Sequence, residues 1–172
     1  MRQTVNAFDY AGLICKAMSK GILLTTKKEN QINTMTIGWG TLGIEWGKPI
    51  FVAYVRESRY TRELLDATGV FTVNIPIDAA DKKIIALCGT KSGREVDKIK
   101  ELDLHLVDSQ QIDVPGIREL PLTLECKVVY RNVQDESRLP QSIQDRYYSA
   151  INAKDYHIAY YGEIVNAYLI AD

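Results

Sequence analysis

A chain of 172 residues, 46% apolar and 25% charged, is long enough for one domain with a sizeable hydrophobic core, and its composition argues against disorder. Its 21 basic and 22 acidic side chains give a formal net charge of −1, so no net positive field is available to hold nucleic acid. That charge is still compatible with a local basic site for one small anion.

The cysteines and the N-terminus indicate where the protein works. Cys15, Cys88 and Cys126 are far apart and form no CxxC pair, which is typical of a reducing compartment and not of a disulfide scaffold. The N-terminus lacks the apolar core of a signal peptide, and apolar runs such as 50–55 are too short to span a bilayer. We therefore expect a single domain over residues 1–172, in the cytoplasm and without a membrane partner.

The first half of the chain alternates helical and strand-like segments. Apolar residues at helical spacing predict a helix over 7–19 and another over 59–67, with Gly69 as the stop of the second. Short apolar runs bounded by polar or glycine residues predict strands at 21–26, 32–40, 50–55 and 70–75.

The second half ends in two long segments rich in Val, Ile, Leu and Tyr, which are typical of strands. Because strands follow strands or short helices without regular βαβ units, the pattern favours an antiparallel barrel with helical decoration over a doubly wound sheet. We predict helical segments at 78–87, 97–102 and 140–151, a loop at 88–94, and strands at 122–134 and 156–170.

Two sequence features that could indicate a binding site lack the neighbouring residues that such a site requires. Residues 38–43 read G-x-G-x-x-G, but the dinucleotide fingerprint requires a helix to begin at that turn, and here residues 46–49 (W-G-K-P) and a strand follow. The two histidines, His105 and His157, have no paired ligand spacing, so no metal site is expected.

The segment 55–64 carries the richest local chemistry. A predicted strand ends there and a helix begins, which brings guanidinium groups, hydroxyls and free backbone N–H groups together, and all of these bind phosphate oxygens. A solvated helix cap with arginines paired to Glu57 and Glu63 would explain the same pattern. The candidate donors are Arg56, Ser58, Arg59, Thr61 and Arg62.

The segment 88–98 is a second candidate for anion binding. Gly89 and Gly93 free the backbone, and the polar side chains between and after them could complete an anion-binding nest. A helix C-cap at Gly89 followed by an exposed loop is the alternative. The polar side chains are those of Thr90, Lys91, Ser92, Arg94 and Lys98.

The segment 33–40 places Asn33, Thr34 and Thr36 in a strand that is otherwise fit for burial. Small residues in a strand let a planar ligand approach the backbone N–H and C=O groups. The alternative is an edge strand whose threonines face water and whose core residues are Met35, Ile37 and Trp39.

Taken together, these segments resemble the flavin reductase-like family of FMN-binding split-barrel proteins, which includes the flavoredoxins. The strings that carry the resemblance are KGILLTT, NTMTIGWGTLG with the following W-G-K-P, VRESRYTRELL, FTVNIP, CGTKSGREVDK and YGEIV. They occur in the family's order and spacing from about residue 20 to residue 170. Each string is weak alone, but the ordered set is specific.

The resemblance implies a mainly β fold, a Greek-key split β-barrel, usually a homodimer with FMN bound non-covalently at or near the dimer interface. In such proteins, one strand lies against the isoalloxazine ring, a second segment takes the phosphate and ribityl chain, and a loop closes over the cofactor. The residues so implied are Asn33, Thr34, Met35, Thr36, Ile37, Gly38, Arg56, Ser58, Arg59, Thr61, Cys88, Gly89, Thr90, Ser92, Gly93 and Lys98.

The activity implied is that of a flavin reductase, in which NADH or NADPH gives a hydride to flavin N5 and free flavin or an electron-accepting protein takes the electrons. Because no separate nucleotide fingerprint is present, an FMN-bound electron carrier reduced by a partner protein is the alternative. A flavin-free binding module is a third, weaker hypothesis. No nucleic acid partner is expected.

A histidine, a cysteine and a group of tyrosines are further candidates for a role beside the flavin. His157 opens the last strand and is a candidate catalytic residue beside the nicotinamide or flavin, although a satisfied histidine at a strand end is the commoner occurrence. Cys88 is expected to be a small buried residue, in preference to a redox thiol. Six of the ten tyrosines follow residue 146, where they could stack on a ligand ring or form a barrel wall or dimer interface.

Overall fold

A computed structural model describes residues 1–78, 81–150 and 153–171. Its strands are β1 (Arg2–Thr4), β2 (Ile22–Lys28), β3 (Gln31–Ile37), β4 (Gly40–Glu45), β5 (Lys48–Arg56), β6 (Val70–Ile75), β7 (Leu106–Val107), β8 (Gly116–Ile117), β9 (Leu122–Val133) and β10 (His157–Ile170). Its α-helices are α1 (Ala11–Met18), α2 (Tyr60–Thr68), α3 (Lys82–Thr90), α4 (Lys98–Glu101) and α5 (Gln141–Tyr147), and short 3-10 helices cover Ala7–Tyr10 and Glu136–Arg138.

The main sheet is antiparallel and follows the order β3-β2-β6-β9-β10-β5-β4, with β1 paired to β10; β7 and β8 pair separately. The path ends at β3 and β4, although only Gly38 and Trp39 separate these two strands along the chain. The barrel is therefore open between β3 and the β4–β5 hairpin. This confirms the expected fold class, a mainly β split barrel with helices.

The apolar run in β2 is continuous because both faces of the strand are covered. Ile22 and Leu24 face the barrel interior, where Phe51 and Phe71 are fully buried. Leu23 points the other way into a cluster that includes Ile84 of α3. Helix α3 and the loop beyond it thus pack on the outside of the barrel near β2 and β3, which brings them to one edge of the sheet.

The predicted helix over 7–19 is divided in the structure. A 3-10 turn begins after Asn6, whose side chain accepts a hydrogen bond from the Phe8 N–H at 3.0 Å, and α1 follows it. Ile14 and Met18 are the buried residues of α1 and pack against the barrel core. Gly21 then takes a φ of +106°. Glycine is needed where the chain turns into β2, because residues with a Cβ rarely adopt a positive φ.

The predicted strand over 32–40 is too long, because β3 ends at Ile37 and a new strand, β4, begins at Gly40. Strand β4 was missed since its glycine content weakens the strand signal. A tight turn at Trp46 and Gly47, both with positive φ, joins β4 to β5. The interpretation of the G-x-G-x-x-G string is confirmed, because a hairpin and not a helix follows it.

Three other boundaries differ from prediction. Helix α3 begins four residues later than 78–87 and continues to Thr90, so the expected loop at 88–94 starts inside its last turn. The second predicted helix, 59–67, is α2 and is shifted by one residue. The predicted helix 140–151 ends at Tyr147, and its last residue lies outside the described residues.

Strands β9 and β10 are long enough to cross the whole barrel and bend at two register shifts, between Tyr161 and Gly162 and between Ile164 and Asn166. A Cβ on Gly162 would lie 2.5 Å from the ring of Phe71, so only glycine allows the strand to approach the core there. On its other side, the start of β10 from His157 to Glu163 pairs with β5, which lies next to the open edge of the barrel. Of the helices within 1–78, 81–150 and 153–171, none is long and apolar enough to cross a membrane.

Candidate functional site

A cavity lies at the split of the barrel. Strand β4 begins at Gly40, which pairs with Ala53, so the end of β5 from Tyr54 to Arg56 extends beyond β4. On its other side β5 pairs with β10, where Arg56 is opposite His157. The cavity has a volume of about 180 Å³ and is lined by Met35, Thr36, Ile37, Gly38, Trp39, Tyr54, Arg56, Arg59 and His157.

A second cavity of about 120 Å³ shares Met35 and Arg59 with the first, so the two form one cleft. We call the first cavity the ring end and the second the phosphate end, after the chemistry described below. The phosphate end is lined by Asn33, Met35, Ser58, Arg59, Tyr60, Thr61, Cys88, Gly89, Lys91, Ser92, Gly93, Arg94 and Lys98. The structure therefore brings together the three segments that the sequence singled out, and adds the start of β10.

Two of the residues that the resemblance implies do not line this cleft. The Thr34 side chain is fully buried, where it accepts a hydrogen bond from the Thr25 hydroxyl at 3.1 Å. Thr90 lies at the end of α3 and donates to the Ala86 carbonyl at 2.8 Å. The Thr36 hydroxyl lies in the cleft wall but donates to the Ile85 carbonyl at 2.7 Å, so β3 offers a ligand its backbone more than its hydroxyls.

Aromatic rings form the ring end of the cleft. Trp39 is 40% exposed, and its ring lies 4.7 Å from that of His157 and edge-on to that of Tyr147 at 5.0 Å. The alternative in which Trp39 belongs to the core is therefore wrong. A partly exposed indole beside a cavity presents an apolar wall against which a planar ligand can pack.

A hydrogen-bond chain fixes the protonation of His157. The Gln134 side-chain oxygen accepts from the His157 backbone N–H at 3.1 Å and from the Tyr148 hydroxyl at 2.7 Å. Because the Tyr148 proton is used there, its oxygen accepts from His157 Nδ1 at 2.7 Å, and Nδ1 carries the ring proton. Burial, reinforced by the charge of Arg56, lowers the pKa of His157 to about 4. The imidazole is therefore neutral at physiological pH, with Nε2 as an acceptor.

Arg56 is used by the protein itself. Its guanidinium donates to the carbonyl of Asp155 at 2.7 Å and to that of Tyr147 at 3.0 Å, and it lies over the Tyr148 ring. These contacts fasten the segments on both sides of residues 151–152 to the end of β5. The sequence suggested phosphate binding for this residue, and the structure places its donors on backbone carbonyls.

Ser58 is also occupied, by a carboxylate. Its backbone N–H donates to Asp155 Oδ1 at 3.0 Å and its hydroxyl donates to Oδ2 at 2.7 Å. The donors of Ser58 thus hold a carboxylate of the chain itself, whereas the sequence suggested a ligand phosphate. Asp155 was missed because it is 97 residues away and no local pattern connects it to Ser58.

Two cations at the phosphate end are not occupied in this way. Within residues 1–78, 81–150 and 153–171, neither Arg59 nor Lys98 has a carboxylate in salt-bridge contact, and Lys98 is only 4% exposed. Burial lowers the pKa of Lys98, the nearby Cys88 opposes this, and the charge of Arg59 adds to it. Buried charges are normally paired, so the buried ammonium of Lys98, with the exposed guanidinium of Arg59 in the same cavity wall, indicates a site for an anion.

Asn33 supplies an unsatisfied acceptor beside these cations. Its side-chain nitrogen donates to the Thr61 hydroxyl at 2.8 Å, whereas its side-chain oxygen is buried without a partner among the described residues. A Cβ on Gly93 would collide with that oxygen, so glycine is needed for the loop after α3 to approach β3. A buried acceptor of this kind requires a donor, which a ligand hydroxyl can provide.

These observations test whether the residues suit FMN. A partly apolar, aromatic wall lies at the ring end, and the buried acceptor of Asn33 and the ammonium of Lys98 lie at the phosphate end, with Arg59 shared by the two. Neither cation has a carboxylate partner among the described residues, and these features suit an isoalloxazine ring, ribityl hydroxyls and a phosphate. The residues present therefore fit the group.

Cys88 has the expected structural character. It is 2% exposed, and burial raises the pKa of its thiol to about 11. A thiol that stays protonated at neutral pH is a poor nucleophile, so the prediction of a small buried residue is confirmed. His105 lies at the surface beside Glu119, and in the described part of the chain no group of three or more His, Cys, Asp or Glu residues could hold a metal ion.

An open barrel whose split holds one subsite with an aromatic wall and one subsite with cationic side chains defines a flavin-nucleotide-binding class of protein. The chain belongs to the family with a flavin reductase-like domain, whose family model matches residues 16–172. The family expected from the sequence is thereby confirmed.

Solved structures agree with this assignment. The flavoredoxin of Methanosarcina acetivorans is 27% identical, with a TM-score of 0.64 over 87% of this chain and 68% of that one. An FMN-binding domain of a flavin reductase-like enzyme from Shewanella baltica is 18% identical, with a TM-score of 0.69 over 98% and 77%. A NADH:FAD oxidoreductase of Streptomyces globisporus is 17% identical, with a TM-score of 0.63 over 87% and 75%. The last two likenesses concern the fold alone.

Among curated proteins, the chain is 34% identical over 97 residues to an uncharacterized protein of Archaeoglobus fulgidus. That match spans 56% of this chain and 54% of the relative. The chain thus covers little more than half the length of this relative.

Proposed function

We propose that this protein binds FMN non-covalently in the cleft and acts as an NAD(P)H-dependent flavin reductase. The observation that carries the proposal is that Arg59 and Lys98, which have no carboxylate partner in the described part of the chain, lie at one end of a cleft whose other end is aromatic. Family membership supports the oxidoreductase class.

In this proposal the ligand follows the polarity of the cleft. The isoalloxazine ring lies along β3 at residues 35–38 and beside Trp39, close to backbone groups. The ribityl hydroxyls face the unsatisfied oxygen of Asn33. The phosphate is held by Arg59 and Lys98, and each hydrogen bond between charged groups contributes about 1.5–3 kcal/mol.

When bound, the flavin supplies the redox chemistry by accepting a hydride at N5 from the nicotinamide. The protein contributes binding and orientation, which replaces a bimolecular encounter by a pre-arranged one. His157 borders the ring end and, as a neutral imidazole with Nε2 unprotonated, it accepts a hydrogen bond from a ligand N–H or O–H. It therefore acts as a positioning group and has no proton to donate at Nε2.

The proposal includes a homodimer and a cytoplasmic location. An apolar strip on the outer face of the sheet supports the dimer: Ile44 is 73% exposed and Trp46 57% exposed. The ring of Trp46 lies 6.2 Å from that of Tyr130, which in turn lies 5.2 Å from that of Tyr161. Exposed apolar patches of this kind mark interaction surfaces. The separated free cysteines support a reducing compartment.

The test is anaerobic mixing of the FMN-loaded protein with NADH and, separately, with NADPH. We expect the yellow flavin absorption to bleach with at least one of them. If neither bleaches it while a chemical reductant does, the protein is the electron carrier of the alternative hypothesis. If the purified protein neither contains nor takes up FMN, the proposal fails at its first step.

A further inference from the structure

A separate cavity lies between α1, α3 and the loop that follows β6. It has a volume of about 880 Å³ and shares no lining residue with the ring end or the phosphate end of the cleft. That volume is within the range of small-molecule sites, roughly 300–1,000 Å³. We call it the interhelical cavity. Its apolar lining residues are Leu13, Ala17, Pro76, Ile77, Ile85 and Ala86.

The interhelical cavity exists because the two helices pack on different parts of the core. Ile14 and Met18 of α1 are buried in the cluster that fills the barrel. Ile84 and Cys88 of α3 are buried in the second cluster, which lies outside it. The adjoining faces of the two helices are thereby left around a common space that neither cluster fills.

The apolar wall of the interhelical cavity is aliphatic. Leu13 and Ala17 lie one turn apart on α1, and Ile85 and Ala86 lie on α3. Ile77, in the loop between β6 and α3, is one of the exposed large apolar side chains. Because apolar surface gains free energy when it leaves water, an alkyl chain is the ligand body that suits such a wall.

Lysine side chains form the polar part of the lining. Lys16, Lys20 and Lys82 are exposed, and Asp78 is the one acidic residue with them. Within residues 1–78, 81–150 and 153–171, none of the three lysines has a carboxylate in salt-bridge contact. The Asp81 carboxylate next to Lys82 accepts a backbone N–H at 2.7 Å as the cap of α3. The lining therefore carries an excess of positive charge, which is complementary to an anionic head group.

We propose that the interhelical cavity binds the anion of a medium-chain alkyl carboxylic acid, with its chain between the helices and its carboxylate at the lysines. This assigns a second ligand site, which shares no residue with the proposed flavin site. A symmetric contact between two copies at this face would set the lysines of one copy against those of the other. Because like charges oppose such a contact, a small anion is the better occupant.

The experiment is isothermal titration calorimetry of the purified protein with sodium decanoate. We expect one decanoate per chain, bound at least about tenfold more tightly than decan-1-ol, which has the same chain without the charge. The affinity should fall as the salt concentration rises, because the lysines are exposed. The inference is overturned if decanoate binds with a dissociation constant above about 1 mM, or if decan-1-ol binds as tightly.

Two adjacent lysines test the position of the carboxylate. Lys82→Gln should weaken decanoate by a factor of about three to ten, because a charge-assisted hydrogen bond is lost. Lys83 is also exposed but does not line the interhelical cavity, so Lys83→Gln is the matched control and should leave the affinity unchanged. Equal effects of the two substitutions would show attraction to the general surface charge and would overturn the inference.

A cavity-filling variant tests the position of the chain. Gly12 lines the interhelical cavity, and a Cβ on it would meet nothing within 4 Å, so a larger side chain can enter the space without displacing its neighbours. Gly12→Phe should weaken decanoate at least about tenfold and leave the FMN dissociation constant and the melting temperature unchanged. Gly43 is equally open and lies outside the lining, so Gly43→Phe is the matched control.

Unchanged decanoate affinity in Gly12→Phe would overturn the inference. Sedimentation of the same samples covers the other occupant: if decanoate or Gly12→Phe converts a dimer to monomers, the cavity is an interface between copies and the inference is again overturned. Titration with FMN on these samples keeps the two proposals apart. Failure to bind FMN would refute the proposed function alone, because the two sites share no lining residue.

Discussion

The two ends of the cleft differ in how their polar groups are satisfied. At the ring end, Arg56 donates to two carbonyls and His157 is held by Tyr148. At the phosphate end, Lys98 has no carboxylate partner among the described residues, and the Asn33 side-chain oxygen has no donor there. Since buried polar groups in folded proteins are nearly always paired, the unpaired end is where a polar ligand belongs, and the paired end is a rigid wall.

Arg56 and Arg59 show the difference between paired and unpaired polar groups most directly. They are three residues apart and carry the same guanidinium, yet one fastens the chain before β10 and the other lines the phosphate end. Residue type therefore predicted an anion site in this segment, whereas the surrounding fold decides which arginine serves it.

The largest expected effect separates these two arginines. Arg59→Ala should weaken FMN roughly tenfold to a hundredfold, because a charge-assisted hydrogen bond contributes about 1.5–3 kcal/mol. It should leave riboflavin, which has no phosphate, nearly unchanged. Arg56→Ala should instead lower the melting temperature and weaken both flavins by a similar factor. Fluorescence titration and thermal unfolding measure the two quantities.

The exposed residue Arg118, far from the cleft in the sequence and absent from its lining, gives the matched control Arg118→Ala. It should change neither flavin. The assignment of the two ends would be refuted if Arg56→Ala selectively weakened FMN and Arg59→Ala did not.

A smaller effect concerns pH at the ring end. Burial lowers the pKa of His157 from 6.5 to about 4, so below pH 6.5 the unfolded chain takes up a proton that the native protein excludes. The free energy of unfolding should therefore fall as the pH decreases through that window, by on the order of 1 kcal/mol after allowance for solvent screening. Thermal unfolding of flavin-free protein between about pH 7 and pH 5 measures the slope.

His157→Gln should flatten that slope, because the group that titrates differently in the native and unfolded chain is then removed. A titration of His157 followed by NMR gives the pKa directly. A midpoint near the ordinary value of 6.5 would contradict the buried, neutral imidazole inferred for the ring end.

The smallest expected effect concerns alkylation of the cysteines: Cys88, at the phosphate end, should not react. Cys88 and Cys126 are buried with raised pKa values, whereas Cys15 is exposed. Brief treatment of the native protein with iodoacetamide should attach one group, at Cys15, as mass spectrometry will show. Cys15→Ser should remove it. Rapid modification of Cys88 would show that the phosphate end is open to solvent and its thiol reactive.

Much of the fold could be predicted because its signals are local. The apolar run of β2, the helical spacing before Gly69 and the long strands β9 and β10 all appear as patterns within a few residues. Strand β4 was missed because its glycines and exposed isoleucine give little periodicity. It forms since β5 offers it a partner, which is information held elsewhere in the chain.

The candidate site was predictable in its segments and not in its contacts. Of the sixteen residues that the resemblance implies, fourteen line the cleft, and Thr34 and Thr90 do not; His157 also lines it. Among the groups that the sequence did not single out are Asp155 and Gln134, whose contacts with Ser58 and with His157 span 97 and 23 residues. Their spacing from the other site residues carries no local signal.

By itself, the sequence determined the type of chemistry: cations, hydroxyls and flexible glycines in three ordered segments, with a family pattern that specifies a flavin-binding split barrel. Only the tertiary structure decided which of those groups are available to a ligand. Asp155 takes the donors of Ser58, and two backbone carbonyls take those of Arg56, leaving Arg59 and Lys98. The physical reason is that a donor's availability depends on what the fold places within hydrogen-bond distance, and the partner here is 97 residues away.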